Sequence, residues 1–266
     1  MKKVIAALLA VTLAFAALTG CSLLDVAGVS EIKYKKADGY AIVTELPNKT
    51  GATEPVIADE YEGLPVTEIA DFAGCNLEYA EKITIGKNVK VIGEWAFTNN
   101  QKLREFCVPE ENESFCSRAG VLFTKDMKTL LSFPCAGVKD YTVPDGVEVL
   151  RGKAFYKCGL LEKLTLPESL KFIGEKAFFR CSSLAETALP DGLETVEKDA
   201  FGYCTALTKI TLPSSIKTVG EYAFYNCTSL LDVTVDAEKD AVSFGKDWQP
   251  TNNGLAIDEL KINYKN

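Results

Sequence analysis

The chain has 266 residues, room for one or two domains at the usual ~100–200 residues each. Its 29 basic against 37 acidic residues give a formal net charge of −8, which argues against nucleic acid as a partner and against adhesion to anionic lipid through surface charge. It contains no histidine, which removes His-dependent triads, imidazole acid–base catalysis and every His-containing zinc site, while 47% apolar and 25% charged residues mark a folded chain.

The N-terminus reads as an address. Met1, Lys2 and Lys3 form a short basic start, Val4 to Leu18 an apolar run, and Leu18-Thr19-Gly20-Cys21 a small-residue cleavage point. The apolar run is shorter than the ~20 residues a membrane span needs. Small residues ending on a Cys resemble the lipobox of bacterial lipoproteins, which implies a signal peptide over 1–20 and diacylglyceryl attachment to Cys21. That implies a membrane anchor and an extracytoplasmic, surface-exposed chain. Residues 21–36 then comprise the lipidated Cys and a tether.

Residues 37–65 are expected to form an N-terminal cap and the start of the first repeat, with a strand near residues 39–46. From 66 to 236 the chain repeats. An alanine column runs Ala73, Ala96, Ala154, Ala177, Ala200 and Ala223, and a phenylalanine column Phe97, Phe155, Phe178, Phe201 and Phe224. Leu103, Leu161, Leu184, Leu207 and Leu230 make another column; Val66, Val89, Val147, Leu170, Leu193 and Ile216 a fourth. The period is 23 residues, broken once by a 58-residue step that places a 35-residue insertion in one coil, over 109–143. Within that insertion residues 120–134 read as two strands around a polar turn, a β-hairpin projecting from the repeats. Residues 237–266, with Trp248 and a last strand near Tyr264, are expected as a C-terminal cap.

Each unit opens with alternating apolar residues (Leu164, Leu166; Ile210, Leu212) and then Pro, which is a strand and its end. The rest of the unit recurs at three- to five-residue spacing and suits short helical or 3-10 turns. One strand every 23 residues predicts a solenoid of α/β repeat class: a parallel β-sheet on one face, short turns opposite, one inserted hairpin and two caps. The pattern Ile-Thr-Leu-Pro-x-x-Ile-x-x-Val-Gly-x-x-Ala-Phe-x-x-Cys-x-x-Leu resembles the BspA-like leucine-rich repeat family of bacterial surface proteins, over roughly residues 55–236. The resemblance implies a leucine-rich-repeat solenoid that is secreted or surface-anchored, non-enzymatic, and used for binding proteins or for adhesion.

Several residue groups are candidates for chemistry. Cys158, Cys181, Cys204 and Cys227 repeat at 23, with Asn100 and Leu77 in the same slot earlier. Thiolates must converge to bind metal, whereas this column runs along the solenoid axis. Its members on strands ~4.8 Å apart lie within disulfide range, but equivalent side chains point the same way, so small buried hydrophobes are expected rather than disulfides, and no metal or other cofactor. Cys116 and Cys135 flank the expected hairpin and are a candidate pair. The acidic groups Asp236, Glu238, Asp240 and Glu110, Glu111, Glu113 lack the Gly and bidentate Glu offsets of a calcium loop and read as solvated. No catalytic residues are expected.

The solvent side of the strands holds two columns: Thr84, Cys107, Thr142, Thr165, Ala188, Thr211 and Thr234, and beside it Lys82, Glu105, Asp140, Lys163, Glu186, Lys209 and Asp232. Five of the six neighbouring pairs in the second column are opposite in sign, which suits a stabilising ladder of exposed pairs worth up to ~1 kcal/mol each. The same columns are the candidate face for an extracellular or host protein or glycoprotein. A glycan-binding lipoprotein is the alternative, favoured by aromatics on the strand face, where Thr and charge stand instead.

Overall fold

The computed structural model describes residues 32–264. The proposed signal peptide and Cys21 lie outside the described residues. Within the stretch expected as tether, Ile32 is buried and Lys33–Lys36 pairs antiparallel with Ala41–Glu45.

The chain winds into a β-solenoid with two ladders of stacked parallel strands. On the front, Asp140–Thr142, Lys163–Thr165 and Glu186–Thr187 pair in register, as do Lys209–Leu212, Asp232–Val235 and Lys261–Tyr264. Nearer the N-terminus Lys82–Thr84 pairs with Glu105–Cys107, and Val56 bridges to Thr84. Leu164 and Leu166 point inward while Lys163 and Thr165 are exposed, as the alternation requires.

The second ladder replaces the short helical or 3-10 turns expected opposite the strands. Thr129–Ser132, Val149–Leu150, Phe172–Ile173, Thr195–Val196, Thr218–Val219 and Ser243–Phe244 pair successively in parallel. Among the described residues helix is confined to Lys239–Ala241. The reason lies in where the backbone donors go. Phe155, Phe178 and Phe201 N–H groups donate to Ala177, Ala200 and Ala223 carbonyls of the next coil, so they are not available for bonds within their own turn.

Two non-glycine residues per coil adopt left-handed backbone to make these turns: Lys176 and Arg180 in one coil, Asp199 and Tyr203 in the next, Tyr222 and Asn226 in the one after. Such a residue costs roughly 1–2 kcal/mol, offset here by bonds to the neighbouring coil, as from Lys176 N–H to Lys198 O at 3.0 Å. Glycine appears where backbones touch: a Cβ on Gly174 would lie 2.4 Å from Gly152 N, and one on Gly220 2.4 Å from Lys198 N.

Inside, the alanine, leucine and phenylalanine columns are buried. The rings of Phe133, Phe155, Phe178, Phe201 and Phe224 stack at centroid separations of 4.7, 5.1, 4.9 and 5.3 Å, and Trp248 meets the last one edge-on at 6.3 Å. The insertion splits this interior into two cores. Phe115–Arg118 and Val121–Thr124 pair antiparallel, and Val121–Thr124 pairs with Thr129–Ser132, which belongs to the second ladder. The segment is therefore laid into the wall of the solenoid and not projected from it. Leu122 packs into the N-terminal core while Val121 and Phe123 pack into the C-terminal one.

Phe201→Ala is expected to cost about 3–5 kcal/mol, because its ring is fully buried between two others. Denaturant unfolding measures it, and a loss below about 1 kcal/mol would contradict the stacked core.

Candidate functional site

The strand-face residues fall into two groups. Asp140, Thr142, Lys163, Thr165, Glu186 and Lys209 are exposed, and Thr211, Asp232 and Thr234 are half-buried on the same side. Pairing in register brings Asp140, Lys163 and Glu186 abreast in one row, and Lys209 beside Asp232 in another, with Nζ–Oδ2 at 3.9 Å. A parallel row beside them adds Lys139–Glu162 at 2.6 Å, where the hydrogen bond that Lys139 Nζ donates to the Glu162 carboxylate raises the Lys139 pKa above its usual value. The surface between Asp140 and Thr234 is thus polar and charge-alternating.

The N-terminal part of the expected face departs from this. Lys82 and Cys107 are buried, at 9% and 3% exposure, although both were expected to face solvent; Thr84 is half-buried and Glu105 exposed. Here the ladder does not continue into another coil. The strand Glu105–Cys107 meets the inserted hairpin instead, with Phe106 N–H donating to Gly120 O at 2.7 Å and Val108 N–H to Ser117 Oγ at 3.2 Å. Lys82 keeps an ion pair with Glu105 at 3.2 Å. The usable face therefore begins at Asp140.

The junction of the two cores carries its own side-chain arrangement. Five residues separate Leu130 from Cys135, where eight separate the paired positions Leu150 and Cys158, so this coil lacks three residues of its turn. The gap is filled from the next coil. Arg151 donates to the Ile92 and Gly93 carbonyls at 2.9 and 3.2 Å, and Lys153 Nζ sits 3.9 Å from the Trp95 ring centroid and 3.5 Å from Glu94. Burial lowers the Arg151 pKa, with Glu94 and Asp71 opposing that shift.

A run of partly exposed rings, which the sequence reading did not single out, follows the turn face: Phe72, Trp95, Tyr156, Phe179, Tyr203 and Tyr225, each within 6.0 Å of the next. The signal was available, because Tyr156, Phe179 and Tyr225 each follow the phenylalanine column at the same offset. Phe72–Trp95 and Tyr156–Phe179 are stacked and the other contacts edge-on, and cations lie over some rings, as Arg180 does 5.2 Å from the Tyr203 centroid.

The cysteines are not all inert fillers. Cys135 occupies the same column as Cys158, and these two are joined, with Cα atoms 4.8 Å apart; the expected alternative of Cys116 with Cys135 is not formed. Cys116 instead lies against Thr124 O at 3.3 Å. Further along, Cys181 Sγ donates to Phe155 O at 3.1 Å, and Asn100 in the same slot donates to Gly74 O at 2.8 Å. The column thus satisfies a carbonyl of the preceding coil. Among the described residues no three His, Cys, Asp or Glu side chains are grouped to hold a metal ion.

A family model described as the BspA type leucine rich repeat region matches residues 63–123 and 132–244 in six copies, leaving unmatched the polar turn of the insertion. The pneumococcal vaccine antigen PcpA aligns at 26% identity with a TM-score of 0.64, covering 80% of this chain and 63% of that one. A leucine rich cell surface protein from Faecalibacterium prausnitzii aligns at 22% identity and TM-score 0.52, covering 71% and 62%. A leucine-rich repeat protein from Eubacterium ventriosum shares the fold at 17% identity and TM-score 0.58, covering 84% of each chain. The chain thus spans less than two thirds of the first two relatives. No curated protein matches it.

Alkylation of the native protein with peptide mapping is expected to label the half-buried Cys75 and Cys116 first and the buried Cys181, Cys204 and Cys227 only on unfolding. Burial raises the Cys116 thiol pKa, so its neutral form persists to higher pH and its labelling rate keeps rising with pH beyond the point where an ordinary thiol levels off. Early labelling of Cys204 would contradict this order.

Proposed function

The chain belongs to the BspA-type leucine-rich repeat family, and from that premise we propose that it is a lipid-anchored surface protein whose front ladder docks an extracellular protein. The observation that carries the reading is the row of Thr and charged residues from Asp140 to Thr234, exposed as far as Lys209 and half-buried beyond it, on two three-stranded ladders. There strand pairing sets Thr and alternating charge on a surface supported by the continuous C-terminal core. Such a face is preorganised: its side chains stand on a stacked sheet, and binding orders little. Alternating sign favours a partner of mixed charge and gives orientation more than raw affinity. The absence of histidine favours binding over catalysis.

The strand face holds no outward aromatic in the Thr and charge columns, which disfavours a glycan there. Anchoring through Cys21 rests on Leu18-Thr19-Gly20-Cys21, and the surface location on the family and on the cell-surface description of the Faecalibacterium relative.

Two measurements check this. Labelling with a fatty-acid analogue is expected on the wild type and absent from Cys21→Ser; equal labelling would end the anchoring reading. For the face, a photo-crosslinking residue at Thr165 is expected to capture extracellular protein, and one at Thr195 on the second ladder is not. Equal capture at both sites, or none at Thr165, would overturn the choice of face. A glycan array run in parallel would register the alternative.

A further inference from the structure

On the turn face, the N–H groups of Lys157, Arg180 and Tyr203 donate to the Phe179, Gly202 and Tyr225 carbonyls of the next coil. Asn226 is the following member of this 23-residue column, and its N–H goes instead to Thr251 Oγ1 at 3.0 Å. The Asn226 side chain is buried, and its Oδ1 accepts from the Gly254 N–H at 3.1 Å and from the Thr251 hydroxyl at 3.2 Å. Thr251 and Gly254 belong to a hairpin in which Thr251–Asn252 pairs antiparallel with Leu255–Ala256. A hairpin of the C-terminal cap thus closes the column in place of another coil.

The two-residue loop of that hairpin is Asn253-Gly254, with φ of 50° and 79°, the left-handed pair that a type I′ turn requires. Both residues are exposed, and among the asparagines of the chain only Asn253 is followed by glycine. An asparagine carboxamide is open to attack by the amide nitrogen of the next residue, and glycine puts no side chain in the way of that ring closure.

We propose that Asn253 is a deamidation site and that the Asn226 side chain restrains the reaction. This goes beyond the docking reading and does not depend on it. A base from solvent takes the Gly254 amide proton, and the nitrogen forms a bond to Asn253 Cγ. The Cγ–Nδ2 bond then breaks and ammonia leaves, carrying the proton returned to it. Water opens the resulting succinimide at either carbonyl, which leaves aspartate or isoaspartate at position 253. One water is consumed, one ammonia is released, and nothing is oxidised or reduced.

The restraint lies in the hydrogen bond. The proton that must be removed is the one Gly254 donates to Asn226 Oδ1, so the attacking nitrogen is held until that bond opens. The loop is also seated closely on the coil it caps, since a Cβ at Gly254 would lie 2.9 Å from Tyr225 Oη. Isoaspartate lengthens the backbone of a two-residue turn by one carbon, so conversion detaches Gly254 from Asn226 and uncaps the end of the column.

The test keeps the full chain in warm, mildly alkaline buffer beside a synthetic peptide of residues 247–261, which is also the tryptic peptide that carries Asn253. Mass spectrometry with fragmentation that separates aspartate from isoaspartate follows both. Conversion in the chain is expected at Asn253 before any other asparagine, and more slowly than in the peptide. Asn226→Ala is expected to speed it roughly fivefold, the worth of one neutral hydrogen bond. Asn226→Asp keeps the accepting oxygen and is expected to stay at the wild-type rate or below it. Near-ultraviolet circular dichroism checks that Asn226→Ala is folded; where it is not, the Asn226→Asp chain carries the comparison. Earlier conversion at another asparagine, or none at Asn253 in any chain once the peptide has converted, overturns the site. A wild-type rate equal to that of the peptide or of folded Asn226→Ala, or a faster Asn226→Asp, overturns the restraint.

Discussion

The backbone hydrogen bond from one coil to the next is the interaction on which the structure depends. In an α-helix a residue bonds within its own turn; here the turn donors of Phe155, Phe178 and Phe201 reach the following coil, 22 residues on. A coil alone therefore has neither satisfied backbone nor a buried face, and stability arises only from stacking. This is why the repeat tolerates two left-handed residues per coil, an expense that would disrupt an isolated turn. It also explains the glycines at 174 and 220, where neighbouring backbones approach too closely for a side chain.

The same constraint makes coil length the sensitive variable. Where three residues are missing between Leu130 and Cys135, no backbone donor from the next coil reaches the Ile92 carbonyl as Glu197 N–H reaches Ile173 O, and the Arg151 guanidinium donates there and to Gly93 O. Leaving such carbonyls unpaired would cost on the order of 1–3 kcal/mol each. Lys153 over Trp95 and the Cys135–Cys158 bond lie in the coils beside this gap. The inserted strand Val121–Thr124 contributes to both cores with alternate residues, so the two halves of the interior meet across one strand.

These features divide the molecule by use. The N-terminal half of the front ladder is closed by the hairpin and holds Lys82 and Cys107 inside, while the C-terminal half presents Thr and charge to solvent over a continuous core. The aromatic run on the turn face, although partly exposed, packs each ring against the next and so behaves as an outer layer of packing. Cysteine in the axial column plays two roles: Cys181 and Cys204 donate to a carbonyl of the preceding coil, and Cys135 and Cys158 join adjacent coils.

Much of this was legible in the residues themselves. Columns of Ala, Leu and Phe at a 23-residue period specify stacking, and because stacked coils repeat one environment, the period alone identifies the core positions and the exposed positions 163, 165 and 209. The lipobox resemblance at Cys21 is likewise a property of the sequence. Other features depended on contacts between segments that no local pattern encodes. The second ladder in place of helical turns follows from where amide donors find acceptors in the next coil. The burial of Lys82 and Cys107 accompanies the end of the regular ladder at the hairpin, and Cys135 joins Cys158 because a shortened coil restores the column on its far side. Periodicity determines what each coil has in common; only the tertiary structure decides what happens where one coil is not followed by its like.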